Sequence, residues 1–228
     1  MSARDLQSID IDKPMPLTDT QIERYSRQII VPRIGGRAQE RLLAARIVIA
    51  ADAEDLDAPL AYLVGAGVGR ICLDCDTADI NQLAAAMRSL NPDSTVAAFV
   101  PDDSSRGAPD FVFAIIGSAN SQSSARALCT KLINIPSIIA RLDSPARIGV
   151  FPAPPPCAIC SDSLLAKPFR ERSADAGLAA MAATAEALKL LARYDAAPRA
   201  ALIEFDGYAS RVHEPVRNPN CACAGGCA

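Results

Sequence analysis

Short apolar runs alternate with helical patterns along most of this chain, and that alternation limits the folds open to it. Arg46-Ile-Val-Ile-Ala50 is apolar on both faces, which predicts a strand buried from both sides. Leu56 to Gly65 predicts a helix, stopped by the glycines of Gly65-Ala-Gly67-Val-Gly69, and Arg70-Ile-Cys-Leu-Asp74 predicts a second strand. Strand, helix and strand at this spacing join in parallel through a right-handed crossover. The pattern continues with a helix at Asn81 to Leu90, strands at Ser94 to Val100 and Phe111 to Ile116, a helix at Ser121 to Ile133 and a strand at Pro136 to Arg141. The expected architecture is α/β: a Rossmann-like, doubly wound, mostly parallel sheet.

The texture changes after Arg141. Ile148 to Phe151 predicts a strand, followed by the stiff Pro152-Ala-Pro-Pro-Pro156 and a cysteine pair. Gly177 to Arg193 is an Ala/Leu-rich helix. Ala201 to Phe205 and Ser210 to His213 pair as strands around Asp206-Gly207, giving the parallel sheet an antiparallel C-terminal extension. At the other end, Thr18 to Arg27 predicts a helix with Thr18 as N-cap and Gln21 at capping-box spacing, Gly35-Gly36 a loop, and Gln39 to Ala45 a further helix. Residues 1–17 have no strand or helix period and are expected to form a mobile tail, leaving 18–228 as one domain.

Composition removes several function classes. Half of the 228 residues are hydrophobic and 21% are charged, enough for a buried core. The formal net charge of −3 gives no general nucleic-acid footprint, and 4% aromatics without Trp offer no stacking platform for single strands. No apolar run approaches the ~18 residues of a membrane span, and Met1 to Pro16 lacks the apolar core of a signal peptide. Eight cysteines without such a signal point to a reducing cytoplasm, where clustered thiols serve metal or redox chemistry more often than disulfides.

The sequence carries an ordered set of motifs: Arg24-Tyr-Ser-Arg27-Gln28-Ile29, Ala66-Gly67-Val68-Gly69, the strand end Asp74-Cys75-Asp76-Thr77, Cys157-Ala-Ile-Cys160, Glu186-Ala-Leu-Lys-Leu-Leu191 and Arg217-Asn-Pro-Asn-Cys221. In this order, from about Thr18 to Cys223, the chain resembles the MoeB/ThiF/HesA family, bacterial relatives of ubiquitin-activating (E1) enzymes. The resemblance implies a dimer on a Rossmann-like sheet. It also implies MgATP-dependent adenylation of the C-terminal glycine of a ubiquitin-like or sulfur-carrier protein, and a four-cysteine zinc site.

Set against that family, the nucleotide-binding parts are degraded. Where the family has a Gly-rich phosphate turn, this chain reads Ala50-Ala-Asp-Ala-Glu-Asp-Leu-Asp57, without glycine and with Asp52, Glu54, Asp55 and Asp57. Like charges a few ångströms apart repel by on the order of 1 kcal/mol or more, and several here would oppose a triphosphate. Such acids are also what a capped helix start carries. The following segment is shortened and lacks the family's phosphate-contacting Arg and Lys, while Asp74 or Asp76 remains as a nucleotide-binding remnant. Ala119 stands at the family's Mg-binding Asp position, where a methyl cannot ligate a hard cation, and Ser173 at a thiol position. No catalytic residue is therefore expected, and neither is ATP or Mg2+. Arg27 matches the arginine that reaches into the neighbouring protomer's ATP site.

Cys157 and Cys160 have metal-knuckle spacing, and the tail reads Cys221-Ala-Cys223-Ala-Gly-Gly-Cys227. A structural Zn2+ is expected on Cys157, Cys160, Cys221 and either Cys223 or Cys227, with Ala224 at the family's fourth position. Cys72, Cys75 and Cys129 are expected to be buried small hydrophobes and His213 a surface residue. The sum is an E1-like homologue defective in adenylation. Its expected work is binding: to a ubiquitin-like or sulfur-carrier protein, or to an active E1-like partner in a homo- or heterodimer. The rival expectation is an active adenylyltransferase with a rebuilt nucleotide site. A nicotinamide or flavin enzyme is disfavoured by the same missing glycines.

Overall fold

The computed structural model describes residues 16–75, 80–101, 108–152, 155–207 and 209–224. Nearly all of the expected tail (residues 1–15), together with Asp76 and Cys227, lies outside these. One sheet organises the described chain. β1 (Arg46–Ala51), β2 (Arg70–Asp74), β3 (Thr95–Ala98), β4 (Phe111–Ile116) and β5 (Ser137–Arg141) run parallel, and β6 (Ala146–Phe151), β7 (Ala201–Asp206) and β8 (Ala209–His213) follow antiparallel. The strand order is β3-β2-β1-β4-β5-β6-β7-β8.

Alternate residues of the central strands feed two separate cores. Ile47 and Ile49 of β1 with Phe111, Phe113 and Ile115 of β4 face one side, where they meet α3 (Gly35–Ala44), α4 (Asp57–Ala66) and α8 (Ala176–Ala192). Val48, Val112, Ala114 and Ile116 face the other, against α6 (Ala119–Lys131) and the short α7 (Asp162–Leu165). Burial on both faces explains why these strands read as unbroken apolar runs. α5 (Ile80–Leu90) flanks β3 and has no fully buried residue. Among the described residues no helix is long and apolar enough to cross a membrane.

The N-terminal arm departs from expectation in two ways. Thr18 forms the expected capping box with Gln21, but the helix breaks at Tyr25 into α1 (Asp19–Arg24) and α2 (Ser26–Ile29), and Gly35-Gly36 begins α3 rather than forming a loop. The break turns Tyr25 inward to 1% exposure. Its hydroxyl donates to Asp93 at 3.0 Å and accepts from the Asn91 amide at 2.9 Å, while Arg24 pairs with Asp93 at 3.2 Å. Burial pushes the Tyr25 phenol up to about 12, so it stays a neutral donor. The arm is thus bolted to its own chain. Gly67 completes the bolt: at φ +89° it ends α4, and a Cβ there would lie 2.7 Å from the Gln39 amide and 2.8 Å from the Tyr25 hydroxyl.

Candidate functional site

In an open α/β sheet, ligands bind beyond the carboxyl ends of the strands, where the strand order reverses. Here the chain runs outward from β1 to β3 and returns at β4, so that crevice lies between Asp52 after β1 and Gly117 after β4. Side chains of the chain itself occupy it. Asp52 accepts from Ser118 Oγ at 2.9 Å and from Ser121 Oγ at 2.6 Å. Ser118 caps α6, taking the Asn120 and Ser121 N–H groups, and Ser121 Oγ takes the N–H groups of Gly117 and Ser118 at 3.0 and 3.1 Å. Asp55, its side chain 2% exposed, accepts from both terminal guanidinium nitrogens of Arg172. That carboxylate raises the Arg172 guanidinium above its ordinary value, with Glu54 and Asp52 adding to the effect. Asp55 sits so close to the β4 turn that a Cβ on Gly117 would meet its Oδ2 at 1.9 Å.

Arg172 is held in place by a buried pair at the end of β5. Arg141, fully buried, grips Asp143 through two 2.7 Å hydrogen bonds and donates to the carbonyls of Leu164, Lys167 and Pro168 at 2.8–2.9 Å. Burial alone would raise the Asp143 pKa, but the hydrogen bonds and charge of Arg141 outweigh it and hold the carboxyl below its ordinary value. The Arg170 N–H also binds Asp143, and Ser173 N–H binds the Leu142 carbonyl at 2.8 Å. The segment before α8 is thereby laced across the carboxyl edge of the sheet.

The expected site residues fall into separate places. Asp55 and Asp52 do not cap α4, which has no side-chain N-cap bond; their oxygens are committed to Arg172 and the two serines. Ala119 is exposed at the start of α6. Ser173 is half-buried, its hydroxyl accepting the Asp175 N–H at 3.1 Å. Asp74 is half-buried at the end of β2, where burial raises its pKa. Arg27 is exposed on α2 and makes no ion pair with a described residue. His213 is exposed, as expected. Cys129 is buried, which pushes its thiol up to about 12, whereas Cys72 and Cys75 are only half-buried, a correction that follows from their places toward the sheet's flank. Sequence reasoning missed Arg172 and Arg141. The paired serines at 118 and 121 were the one local sign of the network.

The cysteines converge. Sγ atoms of Cys157, Cys160, Cys221 and Cys223 all lie within 4.8 Å of one another, with Cys157–Cys160 at 3.9 Å, Cys157–Cys221 at 3.6 Å and Cys160–Cys223 at 3.5 Å. Thiolates around a tetrahedral Zn2+ stand about 3.8 Å apart, given Zn–S bonds near 2.3 Å, so the quartet fits such an ion and could hold one. The described cysteines form no disulfide. Burial opposes ionisation of Cys160, but hydrogen bonds at the Asn218 and Cys157 backbone and its neighbouring thiols bring it down to about 7, while burial pushes Cys157 up.

The sheet, the crevice at its switch point and the cysteine quartet define a Rossmann-like α/β protein with a candidate metal site. No protein-family model matches the chain. It is 46% identical over 76 residues to the "adenylyltransferase and sulfurtransferase uba4" of Aspergillus terreus, covering 32% of this chain and 16% of that protein. It is 41% identical over 71 residues to the sulfur carrier protein adenylyltransferase of Thermus thermophilus, covering 30% and 26%. It is 34% identical over 103 residues to the SAMP-activating enzyme E1 of Haloferax volcanii, covering 36% and 38%. The matches thus span between 16% and 38% of the length of these three relatives. The crystal structure of E. coli MccB with ATP shares the fold at a TM-score of 0.66 and 18% identity, over 91% of this chain and 75% of that one. PaaA shares it at 0.59 and 17%, over 92% and 78%. The chain is thus similar in sequence, over about a third of its length, to sulfur-carrier adenylyltransferases and an E1-type enzyme, and over most of its length it shares the fold of MccB and PaaA.

Proposed function

We propose that this E1-like chain has lost ATP-dependent adenylation and acts by binding, either to a ubiquitin-like or sulfur-carrier protein or to an active E1-like partner. The supporting observation is the crevice. Asp52 and Asp55 spend all four carboxylate oxygens on Ser118, Ser121 and Arg172, against the turn where a triphosphate would need donors. A polyphosphate entering there would displace Arg172, itself 45% exposed, from the buried Asp55 and face the freed carboxylates. Ala119 adds no Mg2+ ligand, and Asp74, its pKa raised by burial, is left as an isolated remnant.

Partner binding is supported by exposed groups on the N-terminal arm, α4 and α5: just beyond α2 Ile30 is 77% exposed, on α4 Tyr62 is 64% exposed and on α5 Leu90 is 51% exposed, and Arg27 on α2 is exposed without an ion pair to a described residue. Exposed apolar groups and an exposed arginine suit a homo- or heterodimer contact. The quartet of thiols fits a structural Zn2+ in the reducing cytoplasm, and that ion would supply cross-linking between Cys157, Cys160, Cys221 and Cys223 rather than chemistry. The rival, an active adenylyltransferase, is favoured by the adenylyltransferase activity for which these relatives are named. ATP–pyrophosphate exchange with a candidate carrier separates the two. No exchange from this chain alone is expected, and exchange above background would reverse the proposal.

A further inference from the structure

The geometry points to a metal-fastened strap: residues 214–224 are held to the body through the sulfur cluster, and an ion bound there fastens this tail rather than folding the sheet. The inference rests on the metal assignment above and goes beyond it.

The ties of the tail are few and alike. Its backbone and side-chain hydrogen bonds are local, Cys221 N–H to the Asn218 carbonyl at 3.1 Å and Asn220 N–H to the Asn218 side chain at 2.9 Å. Among the described residues, every hydrogen-bonded tie from 214–224 to the rest of the chain runs through a sulfur: Cys157 with Cys221, Cys160 with Cys223, Cys160 with the Asn218 backbone, and Cys223 with the Cys157 backbone. Val216 is 83% exposed, and the cluster's apolar company is only Ile133 and Ile159. Four thiols without an ion offer weak S–H bonds, a poor fastening for eleven residues of mostly exposed chain.

The other half of the site is anchored independently. Cys157 and Cys160 flank a short 3-10 turn whose Ala158 is 2% exposed within the core under α6, and that turn packs against α6, β5 and β6. The buried residues of the two main cores come from the sheet and its helices, and none lies in the tail. Binding free energy at a metal site is folding free energy for whatever the ion orders. Here the ordered part is the strap, because the knuckle is already placed.

The test uses the full chain, assayed for bound metal, then compared as metal-loaded protein, chelator-stripped protein and a Cys221→Ser variant. Trypsin cleavage after Arg217, read by mass spectrometry, reports release of the strap; cleavage after Arg211 on β8 is the internal reference, and far-UV circular dichroism reports the sheet. Cleavage at Arg217 should rise at least about tenfold on stripping and in the variant, with the reference cleavage and the dichroism unchanged. Cooperative loss of the dichroism on stripping, or an unchanged cleavage rate in a protein shown to have carried metal, would overturn the strap. A protein that neither carries metal nor takes up added Zn2+ would instead remove the metal assignment, and the strap with it.

Discussion

Two polar clusters in this molecule satisfy themselves in opposite ways. At the carboxyl edge of the sheet, three carboxylates have their counter-charge or hydrogen-bond partner inside the chain: Asp55 with Arg172, Asp52 with Ser118 and Ser121, Asp143 with Arg141. At the cysteine cluster four sulfurs gather with no internal cation among them. The first arrangement leaves an incoming ligand nothing to complete. The second is complete only when something positive joins it. On the proposed reading, a crevice without its ligand keeps its place in the fold, with its donors turned inward.

Breaking the internal pairs should give the largest effects. Asp143→Ala leaves the Arg141 guanidinium buried without a counter-charge and should cost about 3–5 kcal/mol in chemical denaturation. The same pair sets an acid limb. Because the folded-state pKa of Asp143 lies below its unfolded value, its contribution is whole above the ordinary carboxylate range near ~4 and is lost as pH falls through the folded value. Asp143→Asn should flatten that limb of the stability–pH curve.

Gly117→Ala should come next, at about 1–3 kcal/mol, since its Cβ would meet Asp55 Oδ2 at 1.9 Å. The contrast sharpens in a double mutant. With Asp55→Ala the clash disappears, so the two changes should be clearly non-additive, and strict additivity would mean that Asp55 does not fill the crevice. At the cysteine cluster, metal analysis of protein purified without chelator should find about one zinc per chain, and Cys157→Ser should abolish it. The smallest effect belongs to Arg27→Ala. Exposed and unpaired among the described residues, it should change stability by less than about 0.5 kcal/mol. Any consequence should appear only when a partner's adenylation rate is measured in the complex.

Much of the fold was legible because it is written in local patterns. β2 and β4 fall where apolar runs predicted them, and the capping box of Thr18 and Gln21 is present as read. The convergence of Cys157, Cys160, Cys221 and Cys223 was legible from the Cys157/Cys160 spacing and the cysteine-rich tail, while Cys227, the expected substitute, lies outside the described residues. The crevice was half legible. Four acids in place of glycines signalled a changed site, but as free carboxylates at a helix start. Arg172, the partner of Asp55, lies 117 residues away in sequence, and no periodicity announces a contact at that range. The Tyr25 anchor was missed for the same reason, because Asn91 and Asp93 reach it only after β2, α4 and α5 have folded together.

The central claim is that the switch-point crevice is filled from within and no longer serves a nucleotide. Titration calorimetry of the intact chain with MgATP at millimolar concentration tests it most directly. The account predicts no binding heat beyond dilution, whereas saturable binding in the micromolar range, lost on substitution of Arg172 or Asp74, would contradict it.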